Sequence, residues 1–283
     1  MRTLVALLTI LPAIAFAQMG KVMDNLSLPS KILKMDRKYA VYLPPDYEKS
    51  ERSYPVLYLL HGAGDDHTGW VQFGEVLHIA DKAINEGKAT PMIIVMPDAK
   101  TTRLGYFNDI TNQWRYEDFF FEEFIPVIEK TYRIKSEKRY RAVAGLSMGG
   151  GGSFMYALHH PEMFSSACPL SAYVGPLTVE EMKQRMEKDV KVSDEQIQTY
   201  FKRHNAVELV KAIPDDQKKA VRWFIDCGDD DFLYEGNSLV HIAMKKKEIP
   251  HEYRVRDGGH TWTYWRDSLP VVLSFVSDAF HQY

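Results

Sequence analysis

A serine flanked by glycines, Gly145-Leu146-Ser147-Met148-Gly149, is the stretch of this chain best placed to do covalent chemistry. A serine hydroxyl is a weak nucleophile at neutral pH. It needs a base beside it and a third group to orient that base. The spacing Gly-x-Ser-x-Gly is what a sharp strand-to-helix turn requires, because the serine backbone there is strained and its neighbours must lack bulk. Such a turn lifts the hydroxyl above a sheet and aims a helix N-terminus at any negative charge that develops. The chemistry it would serve is attack on a carbonyl through a covalent acyl intermediate.

The base is normally a neutral imidazole. Of the ten histidines, His159, His160, His204 and His241 fall in stretches with helical pattern and read as solvated or core side chains. His260 differs. It follows Asp257-Gly258-Gly259, a loop after the last strand-like run, at the sheet edge toward which the serine turn points. The orienting acid should come between them in the chain. Asp229, Asp230 and Asp231 all lie just past an apolar strand, and the residues alone leave the choice among them open. Asp226 reads as still within that strand, and Asp257 as a turn residue. The order Ser147, Asp, His260 is that of α/β-hydrolases and differs from the chymotrypsin and subtilisin orders.

Two backbone N–H groups should stabilise the oxyanion. One is that of Met148, directly after the serine. The other comes from the loop His61-Gly62-Ala63-Gly64, with Ala63 first and Gly64 second. His61 reads as a loop-stabilising residue. Aromatic residues near the same edge, Trp70, Tyr106, Phe107 and Trp262, could line a substrate slot; Trp265 reads as support for the histidine loop.

These residues must be positioned by strands and helices, and the pattern supplies both. Strands are expected at 38–43, 55–60, 92–96, 139–143, 167–171, 221–225 and 251–255. Several are continuous apolar runs, as in sheets buried on both faces. Helices are expected at 70–85, at 116–132 with a kink at Pro126, from Ser153 to about Phe164, at 238–247 and at 269–280. Alternation of this kind gives an α/β fold, a mostly parallel central sheet with helices on both faces. Residues 174–219 are charge-rich and lack a buried strand. They carry helical patterns at 179–188 and 194–204, and read either as an inserted helical cap after the sixth strand or as a crossover with extra helices.

The chain has 283 residues, is 45% hydrophobic and 26% charged, and carries a net charge of −3. That suits one large domain over 18–283 and gives no reason to expect a nucleic acid or an anionic membrane as partner. Residues 1–17 read as a signal peptide. Arg2 is the n-region, 4–16 the apolar h-region, and Ala15-Phe16-Ala17 the cleavage signal, with the cut before Gln18. The mature protein is therefore expected to be exported, periplasmic or secreted, without a membrane anchor. Cys168 and Cys227 both fall in core strands and read as two buried thiols, although neighbouring strands could let them bridge. No Cys/His spacing suggests a metal site.

Four blocks together resemble one family: Leu59-Leu60-His61-Gly62, Gly145-Leu146-Ser147-Met148-Gly149-Gly150, Cys227-Gly228-x-x-Asp231-Phe232-Leu233 and Gly258-Gly259-His260-x-Trp262. They resemble the esterase-D-like α/β-hydrolases, and within them the feruloyl and acetyl-xylan esterases. The resemblance implies the α/β-hydrolase fold and places the acid at Asp231, with Ser147 and His260 as the other catalytic residues. It implies a serine esterase without metal or organic cofactor. Its substrate would be a small-molecule or polysaccharide-linked ester, with feruloyl esters ahead of acetyl esters. Transfer of the acyl group to a sugar is a further alternative. The resemblance gives Gly151 and Gly152 no role.

Overall fold

In the computed structural model, which describes residues 19–100, 105–186 and 190–281, eight strands form one sheet in the order β1-β2-β4-β3-β5-β6-β7-β8. In chain order they are β1 (Lys21–Ser30), β2 (Met35–Leu43), β3 (Val56–Leu60), β4 (Ile93–Pro97), β5 (Arg141–Leu146), β6 (Ser166–Leu170), β7 (Arg222–Gly228) and β8 (Glu252–Arg256). β1 and β2 are antiparallel to their neighbours, and the pairs from β4 through β8 are parallel. The expected α/β architecture is therefore present, with β1 as an added edge strand. β1 has a register break between Met23 and Leu26 and is largely exposed, so its sequence lacks a clean buried run.

β3, β4, β5 and β6 are buried along their whole length. Apolar cores cover both faces of the sheet, one led by Val56, Tyr58, Val143 and Phe154, the other by Leu57, Leu59, Ala144 and Leu273. That two-sided burial explains why these strands read as unbroken apolar runs.

The helices are α1 (Gly69–Gln72), α2 (Val76–Asn85), α3 (Tyr116–Asp118), α4 (Ile125–Thr131), α5 (Met148–His159), α6 (Val179–Arg185), α7 (Asp194–Arg203), α8 (Ala206–Ala212), α9 (Tyr234–Lys246) and α10 (Trp262–His281). Three differ from expectation. The 70–85 helix is two, because Glu75 takes a left-handed conformation, φ 52°, after Gly74. The irregularity in 116–132 is a π-helical stretch, Phe119–Phe124, which ends just before Pro126 in the first turn of α4. α10 begins at Trp262 and carries Pro270 inside it, so Trp262 and Trp265 stand on a helix and not on a loop.

α6, α7 and α8 lie between β6 and β7. Ser193 caps α7 with a full capping box through Gln196, and the side chains of Thr178 and Asn205 cap α6 and α8 by accepting the Glu181 and Glu208 N–H groups. Met182, Ile197 and Phe201 form a small core of their own. Cys168 and Cys227 are buried free thiols, and burial pushes Cys227 up to about 12. The proposed signal segment 1–17 lies outside the described residues.

Candidate active site

The turn after β5 places Ser147 at φ 55°, ψ −114°, left-handed for a residue with a side chain. This strain is held by three backbone hydrogen bonds. Ser147 N–H donates to Leu170 O at 2.9 Å, and Ser147 O accepts from Gly151 and Tyr173 N–H at 3.0 and 2.9 Å. The glycines after it answer to close approach. A Cβ on Gly151 would sit 2.2 Å from Tyr173 O, and one on Gly152 would sit 2.8 Å from Leu60 Cδ1 and 3.0 Å from Tyr106. The run of four glycines lets α5 press onto the backbone after β6 and onto the β3 side chains, which fixes the serine turn.

Ser147 Oγ lies 2.9 Å from His260 Nε2, and His260 Nδ1 lies 2.8 Å from Asp231 Oδ2. With a carboxylate on one side, Nδ1 carries the proton and Nε2 is left to accept from the hydroxyl. Asp231 is fully buried, and its other oxygen accepts the Leu233 N–H at 2.9 Å. Burial pushes its carboxyl up, but the hydrogen bonds from His260, Leu233 and Ser171 outweigh that, and the net shift is downward. Asp229 and Asp230 are exposed. Of the three acidic candidates, Asp231 is the one beside His260.

The histidine loop is anchored from below. Asp226, on β7, is buried and accepts from Tyr264 Oη, Ser268 Oγ and Arg256 Nη2, which ties the start of α10 to the sheet. Trp265 stands edge-on to His260 at 4.9 Å and donates Nε1–H to Ser171 Oγ at 3.0 Å. It supports the loop, as its place in the sequence suggested.

The loop after β3 approaches the serine closely. A Cβ on Gly62 would lie 3.4 Å from Ser147 Cβ. His61 is buried: its Nε2 accepts the Ala99 N–H at 2.9 Å and its Nδ1 donates to Gly62 O at 2.8 Å. A trans peptide holds its C=O and N–H in opposite directions, so the Ala63 N–H points away from the His61 ring. Ala63 and Gly64 are both exposed.

Two of the four residues expected to line a slot do other work. Trp70 and Tyr106 are both 0% exposed. Trp70 Nε1 donates to Leu60 O at 3.0 Å. Tyr106 Oη accepts the His61 N–H at 2.9 Å and donates to His61 O at 3.1 Å. Both grip the backbone that leads into the His61–Gly64 loop and present no free face. Trp262 is half-buried against Trp70 and Phe73, and Phe107 is half-buried against His204. The residue sequence reasoning missed is Phe232. It is 72% exposed, with its ring 4.5 Å from His260. Its place directly after the acid was the available signal. With Tyr173, Leu177, Glu181 and Arg185 it lines a cleft of about 290 Å³.

A strained serine between a strand and a helix, beside a histidine and a buried aspartate on the following strand ends, is the arrangement that an α/β-hydrolase fold presents at its strand-to-helix serine turn. The Esterase family model matches residues 30–276, and the chain belongs to that family. It is 39% identical over 237 residues to an endo-1,4-beta-xylanase/feruloyl esterase of Xylanibacter ruminicola, covering 81% of this chain and 28% of that one. It is 37% identical over 143 residues to an esterase of Mycobacterium tuberculosis, covering 49% of this chain and 29% of that one. The chain thus spans less than a third of the length of these relatives. Among solved structures, a ferulic acid esterase matches with a TM-score of 0.81 at 38% identity, covering 93% of this chain and 100% of that one. An S-formylglutathione hydrolase of Staphylococcus aureus shares the fold, with a TM-score of 0.72 at 21% identity and coverage of 91% and 98%.

Among the described residues no helix is long and apolar enough to cross a membrane.

Proposed function

We propose that the chain is an exported esterase that hydrolyses acyl esters of plant-type carbohydrate, feruloyl esters first among them. The hydrogen-bonded line Ser147–His260–Asp231 carries the catalytic part of the reading. Ser147 Oγ attacks the ester carbonyl while His260 Nε2 takes its proton. The tetrahedral intermediate collapses, and His260 returns the proton to the departing alcohol. Water then repeats the sequence on the acyl-enzyme. Asp231, ionised and buried, holds the imidazole tautomer and stabilises the imidazolium. The N–H groups of Met148 and Ala63, or Gly64 in its place, hold the oxyanion, each worth on the order of 10²–10³ in rate. No metal or organic cofactor enters this scheme.

The acyl slot is the cleft beside Phe232. Its Phe232 and Tyr173 rings and the Leu177 side chain offer a flat apolar surface next to His260, and Glu181 and Arg185 add polar groups. Stacking and burial there favour an aromatic acyl group over acetyl. The ferulic acid esterase likeness and the xylanase/feruloyl esterase relative support the same substrate. Residues 18–283 then form one esterase domain with 174–219 as its cap, and residues 1–17 direct export. The test is a hydrolysis panel. Methyl ferulate or a feruloylated arabinose should show kcat/KM at least about tenfold above the matching acetyl ester. Efficient deacetylation of acetylated xylan with methyl ferulate untouched would replace this reading by an acetyl esterase. Product analysis with a sugar acceptor separates hydrolysis from acyl transfer.

A further inference from the structure

The largest cleft among those described, about 890 Å³, does not contain Ser147. It lies where the loop following Phe107 and the end of α5 face α7. α5 runs from Met148 to His159, so the cleft floor at His159 is about 17 Å along the helix from the serine turn. The upper end of the cleft begins at Asn108, two residues past Tyr106, which grips the oxyanion loop.

Its floor is rigid and polar. Glu117 Oε1 accepts from His159 Nδ1 at 2.8 Å and from His160 Nε2 at 3.1 Å. Asn108 and Asp118 are joined side chain to side chain at 2.7 Å, and Tyr200 Oη donates to Asn108 O at 2.9 Å. The Tyr200 ring is stacked on His204 at 3.8 Å. The rim is different. The side-chain polar groups of Asn112, Glu195, Thr199 and Arg203 bond to nothing else among the described residues, so amide, carboxylate, hydroxyl and guanidinium groups all face solvent along one cleft.

This lining selects a ligand class. Ile110 is the one aliphatic residue in it, which disfavours an apolar ligand. Carboxylates and cations are mixed along it, so neither a polyanion nor a polycation gains from the field. A neutral polyhydroxylated chain matches a preorganised floor and a rim of unpaired donors and acceptors. We propose that this cleft is a second binding site, for an uncharged polysaccharide segment, which holds the polymer while an ester on it reaches Ser147. The proposal rests on the reading of the chain as a carbohydrate esterase. Tethering one part of a polymer raises the effective concentration of its esters at the other site without adding a contact there.

The test uses the full chain and unesterified ligands, xylohexaose and soluble arabinoxylan, by calorimetry and affinity electrophoresis. The wild type should bind at least one of them. Thr199→Trp, which fills the cleft from α7, should weaken that binding at least tenfold. It should also lower kcat/KM on feruloylated polymer several-fold and leave kcat/KM on methyl ferulate unchanged. The paired change Asn112→Ala with Arg203→Ala removes rim groups without adding bulk, and should act in the same direction should the tryptophan variant misfold. Failure of the wild type to bind either ligand, or equal binding by the variants, overturns the second site. Absence of hydrolysis of any small ester would instead overturn the esterase reading, because the binding arms involve no ester.

Discussion

The two ends of α5 carry the same kinds of side chain and do different things with them. At its start, Ser147, His260 and Asp231 line up; at its end, His159 and His160 share Glu117. Both carboxylates are buried, and both are held below their ordinary range despite burial, because imidazole hydrogen bonds outweigh it. What differs is the second ring nitrogen. His260 Nε2 faces a hydroxyl that donates to it, so the ring can take a proton. His159 Nε2 faces the Arg203 carbonyl at 2.7 Å, which can only accept. With acceptors on both nitrogens the ring is held as a cation, and its affinity for the proton is raised against the opposing effect of burial. A carboxylate–histidine pair becomes a catalytic base only when the other nitrogen meets a donor that can become a nucleophile.

The sharpest break of this comparison is Ser147→Ala. It removes the donor and should lower kcat by roughly 10⁵–10⁶ while the protein stays folded. A fluorophosphonate adduct, read by mass spectrometry, should appear on the wild type at Ser147 and vanish in the variant. Activity retained above a tenth of wild type would sink the assignment of the nucleophile.

Next in size is Asp231→Asn, which leaves the packing but supports the wrong tautomer, at a cost of about 10⁴ in kcat. Asp229→Asn and Asp230→Asn change exposed groups and should stay within about threefold of wild type. A crippling Asp229→Asn would move the acid and leave the mechanism standing.

Smaller is Tyr106→Phe. The hydroxyl satisfies both the N–H and the C=O of His61, and leaving two buried backbone groups unpaired costs roughly 1–3 kcal/mol each. Part of that should appear as a shifted oxyanion loop. We expect kcat to fall about 10-fold or more with KM nearly unchanged, because the oxyanion exists only in the transition state. Equal losses in both constants would mean that Tyr106 supports the fold alone.

Much of the catalytic end was legible in the sequence because its parts are local. The serine turn announces itself in five residues, and β3, β4 and β5 are unbroken apolar runs. His260 follows a Gly-Gly turn. The choice among the acidic candidates was not fixed by the residues, since three adjacent aspartates share one loop; burial separates Asp231 from the other two, and burial is a tertiary property. Trp70 and Tyr106 were legible as aromatic residues near the site but not as buried ones, because an aromatic in a loop and one gripping a strand end look alike in sequence. Phe119–Phe124 is a π-helical stretch with four aromatics in six residues, and nothing in the apolar spacing distinguished it from an α-helix. The other end of α5 was illegible for a plainer reason: Glu117 and His159 lie in stretches of plain helical pattern with no motif around them, and the fold brings them together.

That end supplies the last and smallest effect on activity. Glu117→Gln should leave kcat/KM on small esters within about twofold, since the cluster holds no nucleophile and lies about 17 Å along α5 from the serine turn. Its effect is on stability, and the sign depends on pH. Glu117 is lowered to about 2 against an ordinary 4.5: burial raises it, but the His159 and His160 hydrogen bonds win. Its contribution is therefore present above about pH 4.5 and is lost as pH falls toward 2. His159 is shifted the other way, above 6.5: burial lowers it, and Glu117 more than compensates. Its contribution is complete below pH 6.5 and disappears as pH rises through the folded value. The pair thus stabilises most between about pH 4.5 and 6.5. In that window Glu117→Gln should cost about 1–3 kcal/mol, or roughly 2–10 °C in Tm. The gap to wild type should narrow toward pH 3 and again at alkaline pH. Thermal unfolding of both proteins across pH 3 to 9 measures this directly. A deficit that stays constant over that range would show that Glu117 acts by packing alone. A loss of esterase activity in a folded Glu117→Gln protein would show that the two ends of α5 are not independent.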